Sequence, residues 1–304
     1  NEVPEMGLLE LNYGIIAGPN GWIFTREGYL LPQYSWYGSH PEEMDPPAET
    51  HELRKIDGTC LSLTSDWSTV NYGHFLLDGL CRLFLFLQAG YALSDVDYFY
   101  CPTTTGSAKR LLGKLNIPVE RCITPDEHIA LQPRLLFAPG FPGVRRVYPR
   151  WIPSFLKEAM IEKTIRPFRW LYIPRNTTRK VQNETSLISI ALDHGFEIFD
   201  PLKCDDPPSV FSEAAVVVSA HGSALADLAF CQPGTSVLEL IPSDHMFPYW
   251  YTIANAAGMH YFYLVGQSTE ERTAMNGPSP YDFTINEDDF RIALQRILEG
   301  QSRE

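Results

Sequence analysis

One segment near residue 220 joins a buried strand pattern to a turn of small residues, a helix pattern and a second buried strand pattern. The strand patterns cover 216–220 and 236–240, and the turn begins with His221, Gly222 and Ser223. Strand, helix and strand in this order predict a parallel pair with a crossover helix. Ligands of open α/β sheets bind at the carboxyl ends of such strands, and helix N-termini bind anions. The turn therefore predicts a nucleotide or phosphate site, with Ser223 as the N-cap; an N-cap that only starts a helix is the alternative.

A basic turn follows an earlier strand pattern at 170–173. Its cationic side chains are Arg175, Arg179 and Lys180, and Asn183 comes just before the next helix pattern. Arginine can bind two phosphate oxygens at once, and lysine adds a point charge. Because the turn follows the carboxyl end of a strand, it is a candidate diphosphate site. A solvated basic turn is the alternative.

A third candidate is the pair of His74 and Asp78 at the start of a long helix pattern. Residues four apart lie on one face of a helix, so the two side chains can meet. Such a pair can supply a general base, with either member taking the proton. The alternative is a histidine that bonds to the aspartate only to support the helix.

The composition narrows the class of partner. The 304 residues carry a net charge of -13, which argues against nucleic acid and anionic membranes. The six cysteines form no C-x-x-C pair, so we expect reduced thiols and no zinc site. Asp95 and Asp97 match the D-x-D pattern of metal-dependent sugar transfer, but they precede a strand, so we expect them at the surface and no metal at the site. Local basic clusters on an acidic chain favour one anionic ligand; a second such cluster is Arg145, Arg146 and Arg150.

Strand and helix patterns alternate along most of the chain, which predicts parallel sheets with crossover helices. Short strand bursts separated by Gly and Asn-Gly turns predict a β-meander over 8–36, and 37–55 is predicted to be a loop. Later strands are predicted at 60–63, 97–101, 135–138, 170–173, 197–199, 215–219, 236–240 and 261–264. Helices are predicted at 72–87, 107–115, 154–165, 184–194, 209–213, 223–230, 249–257 and 290–298. The economical architecture is two Rossmann-like domains, 1–150 and 151–304, facing each other across a cleft; a single mixed sheet is the alternative.

Three blocks of residues resemble the family-61 glycosyltransferases. The blocks are 71–78 with Arg82, then 172–175 with Arg179, Asn183 and Glu184, and then 221–225 with Phe230, 233–235 and Glu239. The opening hairpins around 18–21 are also similar. The chain departs from the family pattern at Pro174, where the family usually has Ser, and at Asp227, where it usually has Asn.

The resemblance implies an α/β fold of the GT-B type and inverting chemistry. It also implies a nucleotide-sugar donor, with a UDP-sugar favoured, and no obligatory metal. The acceptor is expected to be a hydroxyl of a glycan or polysaccharide. We expect no cofactor besides the donor, and an oligomer is compatible with the sequence.

On this hypothesis the donor binds the second domain and the acceptor enters from the first. Asp78 or His74 removes the acceptor proton, and the sequence does not choose between them. Glu239 is expected to bind ribose hydroxyls, and His221 to contact the phosphate or the sugar. The other donor-binding residues are Arg175, Arg179, Lys180, Asn183, Gly222 and Ser223, and the acceptor-side residues are Asn71, Tyr72 and Arg82.

Two other functions stay open. A non-catalytic nucleotide-sugar-binding protein would keep the basic turn and His221 without needing Asp78. A hydrolase would use Ser223 and His221 with an acid, but the sequence lacks the G-x-S-x-G nucleophile elbow.

Two sequons, at Asn176 and Asn183, lie in the turn expected to hold the diphosphate. Glycans there would obstruct the donor, so we expect a cytoplasmic and bacterial enzyme rather than one of the secretory pathway. The sequence shows no apolar stretch that could span a bilayer and no visible signal peptide. It begins without Met, which leaves room for membrane association through a missing segment or a partner.

Overall fold

The chain folds into two compact units, Asn1–Met160 and Ile161–Glu304, in the computed structural model. The residues that the structure describes are 6–35, 53–143, 146–270 and 281–301. Both units are mixed α/β structures, each with its own sheet. Most of the predicted loop at 37–55 lies outside the described residues, and its end is wrong, because a strand begins at Leu53.

A seven-stranded sheet forms the centre of the first unit. Its strands are β1 Leu8–Asn12, β2 Ile15–Ala17, β3 Trp22–Phe24, β4 Leu53–Ser62, β5 Tyr98–Tyr100, β6 Cys122–Ile123 and β7 Ala130–Pro139. The parallel strands lie in the order β7-β4-β5-β6. The predicted meander is correct only for the antiparallel β2–β3 hairpin. β1 pairs with the carboxyl half of β7 and β2 with its start, because β7 is long enough to accept both.

The long helix predicted at 72–87 is interrupted by a π-helical turn, Phe75–Leu80. The helices of this unit are α1 Pro32–Ser35, α2 Tyr72–His74, α3 Arg82–Gln88, α4 Gly106–Lys114 and α5 Trp151–Met160, with 3-10 turns at Leu93–Asp95 and Val119–Arg121. The π turn lies close to the segment after β4. A Cβ on Gly79 would come within 2.9 Å of the Leu63 carbonyl oxygen, so only glycine permits this approach.

Helix α5 packs in the first unit, although the sequence placed it in the second domain. The Trp151 ring stacks on Phe84 with centroids 4.5 Å apart, and Phe155 approaches the same ring at 5.5 Å. These large apolar side chains hold α5 against α3. The chain therefore divides after Met160 and not near residue 150.

A six-stranded sheet in the order β9-β8-β10-β11-β12-β13 forms the centre of the second unit. Its strands are β8 Arg169–Ile173, β9 Glu197–Ile198, β10 Ala214–Ala220, β11 Ser236–Pro242, β12 His260–Ser268 and β13 Phe283–Thr284. β8 to β12 are parallel, and β13 is antiparallel to β12. β10 and β11 are buried along their whole length, which explains their nearly unbroken apolar sequences.

Each strand and helix predicted between 170 and 298 is present in this unit. Its helices are α6 Glu184–Asp193, α7 Pro207–Ser212, α8 Tyr249–Ala257 and α9 Glu287–Gln301, with 3-10 helices at Pro201–Lys203 and Ser223–Phe230. The prediction that Ser223 is an N-cap is wrong. Gly222 occupies that position, and it has no side chain that could accept a hydrogen bond. Within the described ranges, none of the helices combines the length and apolar character that a bilayer crossing requires.

Candidate functional site

In the first unit the strand order reverses at β4. The chain continues from β4 to β5 and β6 on one side, whereas β7 lies on the other. Ligands of open α/β sheets bind in the crevice that such a reversal opens at the carboxyl ends of the strands. Asp66 follows β4 here, and Arg146 and Tyr148 follow β7.

Asp78 is the centre of a buried charged cluster that includes these residues. Its Oδ2 accepts hydrogen bonds from His74 Nδ1 at 2.7 Å and from Arg146 Nε at 3.1 Å. Its Oδ1 accepts from the Tyr148 hydroxyl at 2.8 Å. Arg146 also pairs with Asp66, so one guanidinium bridges two buried carboxylates. The predicted contact between His74 and Asp78 is present, within a larger network.

Asp78 remains a carboxylate in this cluster. Burial would raise its pKa, but the hydrogen bond from His74 and the positive charge of Arg146 outweigh burial and hold the pKa below its usual 3.8. An ionised Asp78 can only accept, so His74 donates from Nδ1 and its Nε2 is left to accept a proton. His74 keeps 22% of its side chain exposed, whereas Asp78 is fully buried. The histidine is therefore the member of the pair that a ligand can reach.

Arg82, predicted to contact the acceptor, lies in the interior of the unit. Its Nε donates to the Pro139 carbonyl at 2.9 Å, its Nη1 donates to Ser62 Oγ at 3.3 Å, and it also bonds to the Thr64 carbonyl. The guanidinium thus joins the carboxyl ends of β4 and β7. Burial lowers the pKa of Arg82 to about 9, which leaves it charged at neutral pH. Its position corresponds to a structural role and not to a ligand contact.

The other two predicted acceptor-side residues lie where the loop enters α2. The Asn71 side chain caps the helix by accepting from the N–H groups of Gly73 and His74 at 2.9 and 3.4 Å. Tyr72 is the first residue of the helix and is half-buried. Both residues fix the turn that presents His74.

In the second unit the strand order reverses at β8, with β9 on one side and β10, β11 and β12 on the other. Arg175 follows β8 and His221 follows β10, so the reversal brings two of the predicted sites together. The Arg175 guanidinium lies directly over Gly222, because a Cβ on Gly222 would be 1.8 Å from Nη1 of the arginine. Gly222 has extended backbone, so the requirement for glycine comes from this close approach.

Arg175 and Arg179 form a half-buried pair of cations at this edge. Burial and the charge of Arg179 lower the pKa of Arg175 to about 10, and burial also lowers the pKa of Arg179. The Arg175 N–H donates to Glu184 at 3.1 Å, which fixes the start of the turn. An anion bound beside both guanidinium groups would relieve their repulsion and replace their lost hydration.

Lys180 and Asn183, predicted to bind the donor, contact a distant part of the chain instead. The Lys180 N–H donates to Asp282 at 2.8 Å, and its Nζ lies 3.8 Å from the same carboxylate. The Asn183 side chain exchanges hydrogen bonds of 2.8 and 3.2 Å with the backbone of Ile285. These contacts hold the basic turn to the segment around β13.

Glu239 is also not available to a ribose hydroxyl. The side chain is fully buried, with Oε1 at 2.5 Å from His221 Nδ1 and Oε2 accepting from the Tyr261 hydroxyl at 2.5 Å. Glu239 therefore orients His221. The rings of His245 and Trp250 adjoin His221, with centroids 5.0 and 6.0 Å away.

Sequence reasoning does not find four polar residues of these clusters, Asp66, Arg146, Tyr148 and Tyr261. Arg146 belongs to a visible basic cluster, but its bond to Asp78 spans 68 positions. Its backbone is left-handed, with φ 59°, which no sequence pattern around it indicates. Only the position of Asp66 just after a strand pattern could have marked it as a candidate.

The D-x-D pattern has a structural explanation. Asp97 accepts from the Thr59 N–H at 2.8 Å, and Asp95 accepts from the Ala92 N–H at 2.8 Å. Over the part of the chain that the structure describes, no cluster of three or more His, Cys, Asp and Glu side chains is arranged to hold a metal ion. Both carboxylates thus stabilise turns beside β4 and β5.

The family model described as Glycosyltransferase 61 matches residues 72–238, more than half of the chain. The chain therefore belongs to glycosyltransferase family 61, the family that the three sequence blocks resemble.

Three similar curated proteins share the name protein O-linked-mannose beta-1,4-N-acetylglucosaminyltransferase 2. The one from Takifugu rubripes is 36% identical over 114 residues, the one from Bos taurus 31% over 123, and the one from Danio rerio 28% over 118. The aligned parts cover 34%, 37% and 36% of this chain and 19%, 21% and 20% of the relatives. The match thus spans about a fifth of each relative's length.

We predict that Arg82→Ala destabilises the protein by about 3–5 kcal/mol, because it leaves several buried carbonyl groups without their donor. Urea unfolding followed by circular dichroism measures the change. Arg110→Ala is the control, since Arg110 is exposed and its loss should change stability by less than about 0.5 kcal/mol. Equal stability of the two variants would contradict the structural role of Arg82.

We predict that Gly222→Ala displaces the Arg175 guanidinium and leaves the fold intact, because only the end of a flexible side chain must move. Binding of inorganic pyrophosphate, measured by isothermal titration calorimetry, should weaken about tenfold or more, as expected for a lost charge-assisted bidentate contact. Gly113→Ala is the matched control, since nothing lies within 4 Å of its new Cβ. Unchanged pyrophosphate affinity in Gly222→Ala would rule out this part of the site.

Proposed function

We propose that the chain transfers a sugar from a nucleotide-sugar, preferably a UDP-sugar, to a hydroxyl of a glycan or polysaccharide. The transfer inverts the anomeric carbon and needs no metal ion. The proposal rests on the place of Arg175 and Arg179 at the strand reversal of a parallel sheet, in a chain of family 61. Two half-buried guanidinium groups suit a diphosphate, which takes up negative charge as it leaves.

In the proposed reaction the acceptor oxygen attacks the anomeric carbon while the bond from that carbon to the diphosphate oxygen breaks on the opposite face. The electron pair of the broken bond leaves with the nucleoside diphosphate. Arg175 and Arg179 stabilise this charge in the role that a metal ion fills in other sugar transfers. Gly222 contributes by leaving room for the Arg175 guanidinium.

We assign the general base to His74. Nε2 of its ring accepts the proton of the attacking hydroxyl, and the Asp78 carboxylate at 2.7 Å stabilises the resulting imidazolium. Arg146 and Tyr148 hold Asp78 in place at 3.1 and 2.8 Å. Asp78 acts through His74 because it is itself fully buried.

The choice of sugar and acceptor follows the relatives. Their name describes N-acetylglucosaminyl transfer to protein O-linked mannose, so N-acetylglucosamine and mannose are the first donor sugar and acceptor to test. The proposal also includes the predicted GT-B-type arrangement of two Rossmann-like domains. It includes a cytoplasmic and bacterial setting, which the sequons at Asn176 and Asn183 support.

We predict that one nucleoside diphosphate, UDP before GDP or CMP, raises the thermal midpoint of the protein in the presence of EDTA. A ligand at a hundred times its dissociation constant adds about 2.7 kcal/mol of stability, which is enough to measure. Arg175→Ala should lose this shift, whereas Arg110→Ala should keep it. A shift that requires Mn²⁺ would contradict metal-independent binding, and no shift with any nucleotide would contradict the proposed donor site.

We predict that His74→Gln lowers kcat for sugar transfer by about 10²–10⁴-fold, the usual contribution of one positioned base. The UDP-induced thermal shift should stay unchanged, since the donor is proposed to bind residues of the other unit. His128→Gln is the matched control, because His128 is exposed and bonds through its backbone to Asp126. Wild-type turnover in His74→Gln would favour a base other than His74.

A further inference from the structure

Trp67 is held in a backbone conformation that large side chains rarely adopt. Its φ is 65°, in the left-handed region, where a bulky residue is an outlier. Such strain persists only where the surrounding structure imposes it, and it concentrates at functional sites. The Trp67 side chain gains no burial in return, because the residue remains 51% exposed.

A network of buried hydroxyl groups imposes this conformation. The Ser68 side chain accepts from the Ser65 N–H at 3.0 Å and lies 2.6 Å from the Thr64 hydroxyl. The Trp67 carbonyl accepts from the N–H groups of Val70 and Asn71 at 3.1 and 2.9 Å. Thr64, Ser65 and Ser68 are buried, so the loop is fixed from inside while its aromatic residue faces solvent.

The loop that carries Trp67 belongs to the candidate site of the first unit. It leaves the carboxyl end of β4, where the strand order reverses. The residue before Trp67 is Asp66, which pairs with Arg146 in the charged cluster. Asn71, which bonds to the Trp67 carbonyl, caps the helix that carries His74. The exposed indole thus lies on the same rigid turn as the proposed base.

The geometry points to Trp67 as the platform on which a sugar ring of the acceptor packs. One face of a pyranose ring presents C–H groups, and these pack on the electron-rich face of an indole. Charged groups alone would bind such a neutral ligand weakly, and Val70, 78% exposed, extends the apolar surface of the turn. The inference rests on the proposed function, because it concerns the acceptor of that reaction.

The test uses Trp67→Gly and Trp67→Asn, because both residues tolerate a left-handed backbone while removing the indole. Tyr13→Gly is the matched control. Tyr13 also has a positive φ, 58°, and is 45% exposed, but it lies in the β1–β2 turn beside Arg134, away from the end of β7. All three variants should keep or raise the thermal midpoint of the wild type, since each relieves backbone strain.

Binding is measured by saturation-transfer NMR of the full chain with methyl α-mannoside, methyl β-glucoside, methyl β-galactoside and methyl β-xyloside. We expect transfer to the C–H groups of at least one pyranoside in the wild type and in Tyr13→Gly, and its loss in both Trp67 variants. In enzyme assays the acceptor KM should rise about tenfold, the size of one good aromatic contact, with donor KM unchanged. Folded Trp67 variants that bind and transfer like Tyr13→Gly would overturn the inference, as would a wild type that binds none of the pyranosides.

The two proposals fail in different ways. A wild type that binds a pyranoside through Trp67 but transfers no sugar supports the platform and contradicts the proposed reaction. A wild type that transfers sugar with the same acceptor KM in both Trp67 variants supports the reaction and overturns the platform.

Discussion

The order of the parallel strands is the constraint on which both candidate sites depend. In the first unit β4 lies between β5 and β7, and in the second β8 lies between β9 and β10. At each of these strands the loops on the two sides turn away from each other, which leaves space at the carboxyl edge. Asp66 and Arg146 lie at the first reversal and Arg175 and His221 at the second. Charged residues collect there because the sheet offers no other backbone edge of this kind.

Each unit contains a histidine oriented by a buried carboxylate, but the two pairs differ in exposure. His74 keeps 22% of its side chain exposed and pairs with Asp78, whereas His221 keeps 5% and pairs with Glu239. Arg146 supplies positive charge to the first pair, and the Tyr261 hydroxyl, which is neutral, completes the second. The first pair is thus suited to proton exchange with a ligand. The second is suited to holding one ring in a fixed place between aromatic neighbours.

Local patterns predict the elements of this protein well and the partners of its polar side chains poorly. Strands such as β10 and β11 are fully buried, so their apolar runs identify them directly. The His74–Asp78 contact follows from helix spacing alone. By contrast, Asn183 bonds to Ile285 and Arg82 to Pro139, and these partners depend on the folding of distant segments. Arg82 and Glu239 match the family blocks, yet both are fully buried and support neighbours that the sequence does not identify.

The π-helical turn Phe75–Leu80 makes this part of the chain sensitive to length. Such a turn has one residue more than an α-helix would need, and deleting one residue would restore regular geometry. Each residue of an α-helix rotates the chain by about 100°, so the deletion would turn Arg82 away from its carbonyl partners relative to Asp78. Evolution can therefore vary the apolar residues of this helix one at a time. It cannot easily lengthen or shorten the helix between the two buried charges, because one of them would always face the wrong side.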